Sequence, residues 1–506
     1  MENSVSKLCQ ERYVEGHPSP PVSTLPHKIL YTQHRPYLYL PFNNRFYPLN
    51  HDCVDSLKTW LRGQINPDSL VVHEQLTEFL NDHPEIPEAL EKYQAFEFHN
   101  PISTTGYREA IADHLTTCVL CVTEQCNLRC SYCCYSDHYP QSTSFSSNYM
   151  KDDVARQAVK FFYSHSRKTA SELTLGFYGG EPMINFPMIR RTTAYAKDLF
   201  GDQITFSMTT NATLLNQEKI DFLIDNNFGL TISLDGDQNS TDRYRKFWKK
   251  KDSVFDSVHE SVKMIRDTNK DYFLNRVIFN SVLSGPVDFE ALEKTFVEDI
   301  GTRAANVGLA GISSDHTDFF EHYPEANQYD DVLDQAEHQY YQSLIDGVED
   351  HKKESVPFYH FLRGATIRIK KRLLKPIDQV APFPTGQCVP MVFQTYVRPG
   401  GDIYVCEKFD GNGVGNVFEG INTDTVEKLF QPYYEDAAET CSQCWVQRLC
   451  SNCIVGCMNN GTFDADLKQS ACKGERASYE DSMTRYLETL EQNPEAFDLL
   501  DSWSYE

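Results

Sequence analysis

The stretch Cys126-Asn127-Leu128-Arg129-Cys130-Ser131-Tyr132-Cys133 carries three thiols at C-x3-C-x2-C spacing, directly after an apolar run at 117–122. Three thiolates on one short loop hold three irons of a four-iron cluster and leave the fourth iron open to a non-protein ligand. Structural zinc is the competing assignment, but it normally takes four ligands, paired at other spacings. A second group of eight (Cys388, Cys406, Cys441, Cys444, Cys450, Cys453, Cys457 and Cys472) supplies enough sulfur for two four-cysteine sites. Its C-x2-C pairs also suit zinc ribbons. The other five of the 16 cysteines (Cys9, Cys53, Cys118, Cys121 and Cys134) read as scattered structural thiols.

Further polar motifs follow the later apolar runs. Gly179-Gly180-Glu181-Pro182 combines two glycines, which let backbone approach a ligand, with a carboxylate suited to an ammonium group. Thr210-Asn211 comes next, and then Ser233-Leu234-Asp235-Gly236, whose hydroxyl and carboxylate suit a ribose, with Asp242 and Arg245 beyond. Each alone is equally well a turn or a helix cap. Their order at the ends of successive strands is the stronger signal.

Those strands are apolar runs at 117–122, 173–178, 205–209, 229–234, 275–282 and 305–310, alternating with amphipathic helical stretches. Six such units predict an α/β fold with a parallel sheet, curled into a full or partial barrel by right-handed crossovers. In such sheets chemistry sits at the C-terminal strand ends. Before them, aromatic runs at 37–42 and 45–49 flank Asn43-Asn44, a hairpin signal, and two short helices follow. That pattern suggests a winged-helix-like module ending near Pro101. Residues 311–330 read as a loop, helices extend to about 375, and the residues after 475 read as one or two helices.

The chain has 506 residues and a net charge of −25, from 47 basic and 72 acidic side chains. That balance opposes binding to nucleic acid or to an anionic membrane. No run approaches the roughly 18 apolar residues of a membrane span, and no signal peptide opens the chain. A cytoplasmic location is expected, where thiols stay reduced and clustered cysteines read as metal sites.

Together the trio with an aromatic before its last cysteine, the GGEP, the Thr-Asn and the Ser-x-Asp-Gly resemble the radical S-adenosylmethionine enzymes over about residues 115–310. The resemblance implies a [4Fe–4S] cluster on Cys126, Cys130 and Cys133, with S-adenosylmethionine on its open iron. Gly180 and Glu181 would contact the methionyl amine, Asn211, Ser233 and Asp235 would line the rest, Arg245 would pair with the carboxylate, and Tyr132 would lie near adenine. Many relatives carry His-Asp after the Asp-Gly; here the pair is Thr241-Asp242. The C-terminal cysteines resemble the SPASM extension with its two auxiliary [4Fe–4S] clusters, three clusters in all. By that resemblance Cys441, Cys444, Cys450 and Cys472 would hold one, and Cys388, Cys406 and Cys453 the other. Cys453 comes one residue early against the family run C-x2-C-x5-C-x3-C, and Cys457 is extra. If Cys457 completes the second site, both auxiliary clusters are fully ligated and can only relay electrons, which is the expectation here; if it does not, an open iron could hold a substrate thiolate.

The implied architecture is a winged-helix-like peptide (leader) recognition module at 1–105, a partial (β/α)6 radical SAM barrel at 110–350, a SPASM domain at 375–475 and a helical tail at 476–506. The stretch 444–450 is most similar to ranthipeptide-type maturases of Cys-rich peptides. The implied function is cytoplasmic maturation of a ribosomally made precursor peptide, forming a Cys thioether to an Asp or Glu side-chain carbon. An electron donor such as flavodoxin or ferredoxin would serve it. Alternatives are a carbon–carbon cross-linking cyclase, formylglycine formation as in anaerobic sulfatase maturation, and a metal-bearing scaffold without chemistry. No side chain is assigned as general acid or base.

Overall fold

The computed structural model describes residues 25–62, 74–94, 105–139, 144–314, 317–328, 330–347, 357–377 and 388–502. Cys9 and the module boundary near Pro101 lie outside them.

The N-terminal hairpin forms around Asn43-Asn44, but its loop is the four residues 41–44 rather than the expected two. Strands β2 (Pro36–Leu40) and β3 (Arg45–Pro48) pair antiparallel, with Asn44 at φ +59° and its side chain accepting from the Tyr39 hydroxyl at 2.6 Å. A further strand, β1 (Lys28–Tyr31), pairs with β2 and makes the sheet three-stranded. One face buries Leu38, Leu40 and Tyr47 against Leu57, Trp60 and Leu61 of helix Val54–Leu61. The other face, with Leu30 and Tyr39, packs on Tyr479, Met483 and Leu487 of a C-terminal helix. Arg448, inside the cysteine-rich region, donates to the carbonyls of Pro41 (3.3 Å), Phe42 (3.2 Å), Lys375 (2.5 Å) and Leu373 (3.0 Å). Its guanidinium is buried and its pKa is pulled down by that burial. The N-terminal module is therefore fastened to the C-terminal region on one of its faces.

Six parallel strands follow in chain order: β4 (Thr117–Thr123), β5 (Leu173–Gly179), β6 (Ile204–Thr210), β7 (Gly229–Ser233), β8 (Val277–Leu283) and β9 (Val307–Gly311). They match the apolar runs to within a few residues, because strands covered by helices on a face read as near-continuous apolar segments. The sheet continues beyond β4. Strand β10 (Gln394–Val397) pairs parallel with β4, in register Gln394↔Thr117 to Val397↔Leu120. Antiparallel β11 (Asp402–Tyr404), β12 (Gly415–Asn416) and β13 (Gly420–Ile421) extend it, giving the order β13-β12-β11-β10-β4-β5-β6-β7-β8-β9. Among the described residues β9 and β13 are the edges of this sheet. One hydrophobic core runs from the barrel (Leu120, Phe177, Ile232) into the cysteine-rich region (Tyr396, Phe430, Ile454).

Two expectations are corrected. Residues 311–330 hold helix Phe319–His322 and the turn Pro324–Asn327, seated on a small core of Tyr244, Phe319 and Ala326, and are no plain loop. No tail begins at 476: helix Ala465–Gln492 runs unbroken through Cys472, capped by Asp464, whose carboxylate accepts from Asp466 N (3.0 Å) and Leu467 N (3.1 Å). Among the described residues no helix is long and apolar enough to cross a membrane.

Candidate active site

The cysteine loop has no regular structure of its own and is held from both sides. On one side its backbone bonds the segment after helix Gln238–Tyr244: Arg129 N to Lys246 O (2.7 Å), Ser131 N to Tyr244 O (3.0 Å), and Trp248 N to Asn127 O (3.0 Å). On the other, the end of β5 closes on the start of the loop, with Gly180 N to Thr123 O and Glu181 N to Gln125 O both at 2.8 Å. A Cβ on Gly179 (φ +133°) would lie 2.2 Å from Thr123 O, and one on Gly180 would lie 2.1 Å from Gln125 O. Both glycines thus permit a close approach, and the partner it brings in is the cysteine loop itself.

The thiols of Cys126, Cys130 and Cys133 are free and half-buried. Desolvation pushes Cys126 and Cys130 up to about 12, so without a cation they stay protonated. Among the described residues no three cysteine sulfurs lie within 4.8 Å of one another. A tetrahedral zinc with Zn–S of about 2.3 Å holds thiolates about 3.8 Å apart. As placed, the three thiols do not all lie within reach of a single tetrahedral ion.

Glu181 is fully buried, which raises its pKa, and its oxygens accept from Met183 N (3.0 Å), Thr210 Oγ1 (2.7 Å) and Asn211 N (2.8 Å). In this structure it ties the end of β5 to the end of β6. Asn211 is thereby set beside the first cysteine: its Nδ2 donates to Asn127 Oδ1 at 3.0 Å and lies 3.8 Å from Cys126 Sγ. Ser233 closes β7, half-buried. Asp235 accepts a two-pronged bond from Arg245 (Nε 2.9 Å, Nη2 3.1 Å), a bond from Val282 N (3.1 Å) and one from the Tyr132 hydroxyl. Burial opposes the charge of Arg245, but Asp235, Tyr132 and Cys130 beside it more than offset this and hold its pKa up. So Tyr132, Asp235 and Arg245 are one another's partners here. Asp242 accepts from Val254 N (2.9 Å) and Phe255 N (3.0 Å), which caps the next helix.

The C-terminal cysteines gather in two neighbourhoods. Burial raises Cys441 to about 11 and Cys450 to about 12, and nearby thiols add to this: Cys444 and Cys472 for the former, Cys441 and Cys444 for the latter. Cys406, raised to about 12 by burial, feels Cys453 and Cys388. Cys457 is buried and lies between the two, influenced by Cys472, Cys453 and Cys441. It enters the small hairpin of β14 (Met458–Asn459) and β15 (Thr462–Phe463), and its thiol points at Cys453 O at 3.5 Å.

Two features escaped the sequence reading. A cavity of about 190 Å³ opens on the inner sheet face among Tyr178, Ser207, Thr209 and Thr231, with Glu407 and Gln394 at its wall. Gln394 Nε2 donates to Glu407 Oε2 at 3.3 Å. The polar alternation along β6 was a visible signal for it. Beside Cys126 lies a larger groove of about 810 Å³ with Trp248, Lys249 and Lys250 at its rim. There Arg129 stacks between Phe145 (4.0 Å) and Trp248 (4.4 Å). Its signal is Lys246-Phe247-Trp248-Lys249-Lys250-Lys251, four lysines in six residues of an acidic chain.

Breaking the buried pair by Asp235→Asn or Arg245→Gln should cost about 3–5 kcal/mol each, because either leaves a buried group unpaired. The double variant should cost less than the sum, by about 2 kcal/mol, in a denaturant-unfolding cycle. Strict additivity would show that the two do not act as a unit.

Several known proteins share this domain and fold. Residues 120–296 match the model of the Radical SAM superfamily. The cysteine-type anaerobic sulfatase-maturating enzyme of Clostridium novyi (strain NT) is 30% identical over 159 residues, 31% of this chain and 41% of that enzyme. The radical SAM cyclopropyl synthase TigE of Paramaledivibacter caminithermalis is 26% identical over 238 residues, 45% of this chain and 47% of that protein. The chain thus matches less than half the length of these two relatives. The fold resembles native anSMEcpe with bound AdoMet over 76% of this chain and 99% of that one, with a TM-score of 0.50 and 18% identity. The superfamily works with S-adenosylmethionine and a four-iron cluster. Residues 120–296 are a radical SAM domain, and that domain, with the maturases it is similar to, marks the chain as an enzyme.

Proposed function

We propose that this protein is a cytoplasmic maturase that modifies a ribosomally made precursor peptide, joining a peptide cysteine to a side-chain carbon of an acidic residue. The observation that carries the reading is the meeting, at one mouth of the sheet, of the cysteine loop, Gly180–Glu181, Asn211 and the Tyr132–Asp235–Arg245 group. Cys126, Cys130 and Cys133 would hold the radical-generating cluster. Gly180, Glu181, Asn211, Ser233, Asp235, Arg245 and Tyr132 would line the S-adenosylmethionine. When bound, the cluster and S-adenosylmethionine supply hydrogen-atom abstraction from an unactivated C–H bond. The eight C-terminal cysteines would hold two auxiliary clusters, with Cys457 completing the one on Cys388, Cys406 and Cys453, and one of these clusters would accept the electron left over when the C–S bond forms.

This chain's own residues would orient the peptide. Its modified residue would enter the cavity at Ser207, Thr209 and Thr231. Glu407, at the wall of that cavity, is set to take the proton from the peptide thiol. The leader would add a strand along the edge of the N-terminal sheet. The acidic partner that delivers electrons, a flavodoxin or ferredoxin, would dock on the basic, aromatic groove beside Cys126, where charge complementarity guides encounter.

Formylglycine formation is the second reading, favoured by the match to the Clostridium novyi enzyme. Mass spectrometry of a cysteine-rich peptide encoded beside the gene, after incubation with the reduced enzyme and S-adenosylmethionine, separates the two. A loss of two hydrogens with a cysteine no longer alkylatable supports the thioether, and conversion of cysteine to an aldehyde overturns it. Glu407→Gln should keep its iron and slow this turnover roughly 100-fold; an unchanged rate would exclude the proton-transfer role. Lys249→Glu with Lys250→Glu should weaken turnover driven by flavodoxin in a salt-dependent way while sparing turnover driven by dithionite. An equal loss with both reductants would remove the groove from electron delivery.

A further inference from the structure

We propose that His138, Asp318 and His322 form a divalent-metal site, distinct from the cysteine sites, that takes zinc through two imidazoles and a carboxylate and latches the segment after β9 to the cysteine loop. Among the described residues this is the group of His, Cys, Asp or Glu side chains whose three ligand atoms all converge within 4.8 Å. His138 Nδ1 lies 2.7 Å from Asp318 Oδ1, and His322 Nε2 lies 3.5 Å from Asp318 Oδ2. Ligands about 2.1 Å from one tetrahedral ion sit about 3.4 Å apart, so three donors that all lie within 4.8 Å of one another need only small side-chain adjustments to share an ion.

The three side chains come from two parts of the chain and are already positioned. Asp318 precedes helix Phe319–His322, and His322 ends it four residues later, so both side chains lie on one helical face. His138 lies five residues past Cys133. Its carbonyl accepts from Thr317 Oγ1 (2.8 Å) and Asp318 N (3.2 Å), and the Tyr139 hydroxyl donates to Ser313 O (2.9 Å). The His138 ring stands edge-on to Phe319 and Tyr323, at 5.9 and 5.6 Å. The side chains of Asp318 and His322 are exposed and His138 is half-buried, so an ion here keeps a solvent-facing position for water and needs no buried charge.

Two imidazoles select a borderline metal over magnesium or calcium. The ion would act on the active site through an aromatic stack. Tyr244 packs on Phe319 (5.5 Å) and Tyr323 (5.3 Å), and on Tyr132 (6.3 Å), the residue that hydrogen-bonds Asp235. Pinning residues 317–327 therefore steadies the wall that carries Tyr132.

The test uses the full chain with its iron–sulfur content reconstituted, equilibrated with buffered micromolar Zn²⁺ and washed. Elemental analysis should find one zinc per chain, and zinc X-ray absorption should show nitrogen and oxygen neighbours with imidazole scattering and no sulfur. His322→Gln and Asp318→Asn, both exposed substitutions, should each lose that zinc with iron unchanged. Zinc retained in both variants, zinc bound through sulfur, or no zinc in the wild-type chain would overturn the proposal. None of these readouts depends on the proposed peptide chemistry.

Discussion

The position of the three thiols of residues 126–133 is set by backbone contacts, because these residues form no helix or strand of their own. Their position depends on backbone pressed against backbone. Strand β5 ends on two glycines so that its last peptides can bond Thr123 O and Gln125 O, an approach that leaves no room for a side chain. The loop's other edge is laced to residues 244–248. A metal bound there would have less loop entropy to overcome, because the backbone clamp already restricts the loop. Glu181 and the Asp235–Arg245 pair carry the same constraint sideways to β6, β7 and β8.

The sheet extends this rigidity into the cysteine-rich region. Because β10 pairs with β4, residues 394–407 begin against the strand that delivers the cysteine loop. That brings Glu407 and Gln394 to the inner cavity and sets Cys406 one residue away from it. At the far side, Arg448 gathers carbonyls from the N-terminal module and the linker, so three stretches remote in sequence share one buried cation. The N-terminal sheet is thus fixed to the same body that carries the cysteine loop.

Much of this was legible from local pattern. The six barrel strands, the hairpin at Asn43-Asn44 and the cysteine trio depend on spacing and apolar runs, which a sequence displays directly. What stayed hidden depends on partners far away in the chain. Strand β1 has four residues and no alternation to mark it. The pairing of β10 with β4 joins positions some 277 residues apart, as in the bonds of Thr116 to Phe393. The purpose of Gly179 and Gly180 follows only from what approaches them, which proved to be protein backbone. The continuity of helix Ala465–Gln492 was obscured because its buried face changes from the cysteine sites to the N-terminal sheet along its length. His138 and Asp318 are brought together from 180 positions apart.

The central claim is that the clamped trio holds a four-iron cluster serving S-adenosylmethionine. The most direct measurement compares iron content and 5′-deoxyadenosine formation in the reconstituted chain and in a variant with Cys126, Cys130 and Cys133 all changed to alanine. The account predicts a loss of about four irons per chain, with the remaining iron kept by the C-terminal cysteines and no 5′-deoxyadenosine formed on reduction. Unchanged iron content, or zinc in place of iron at the trio, would contradict it.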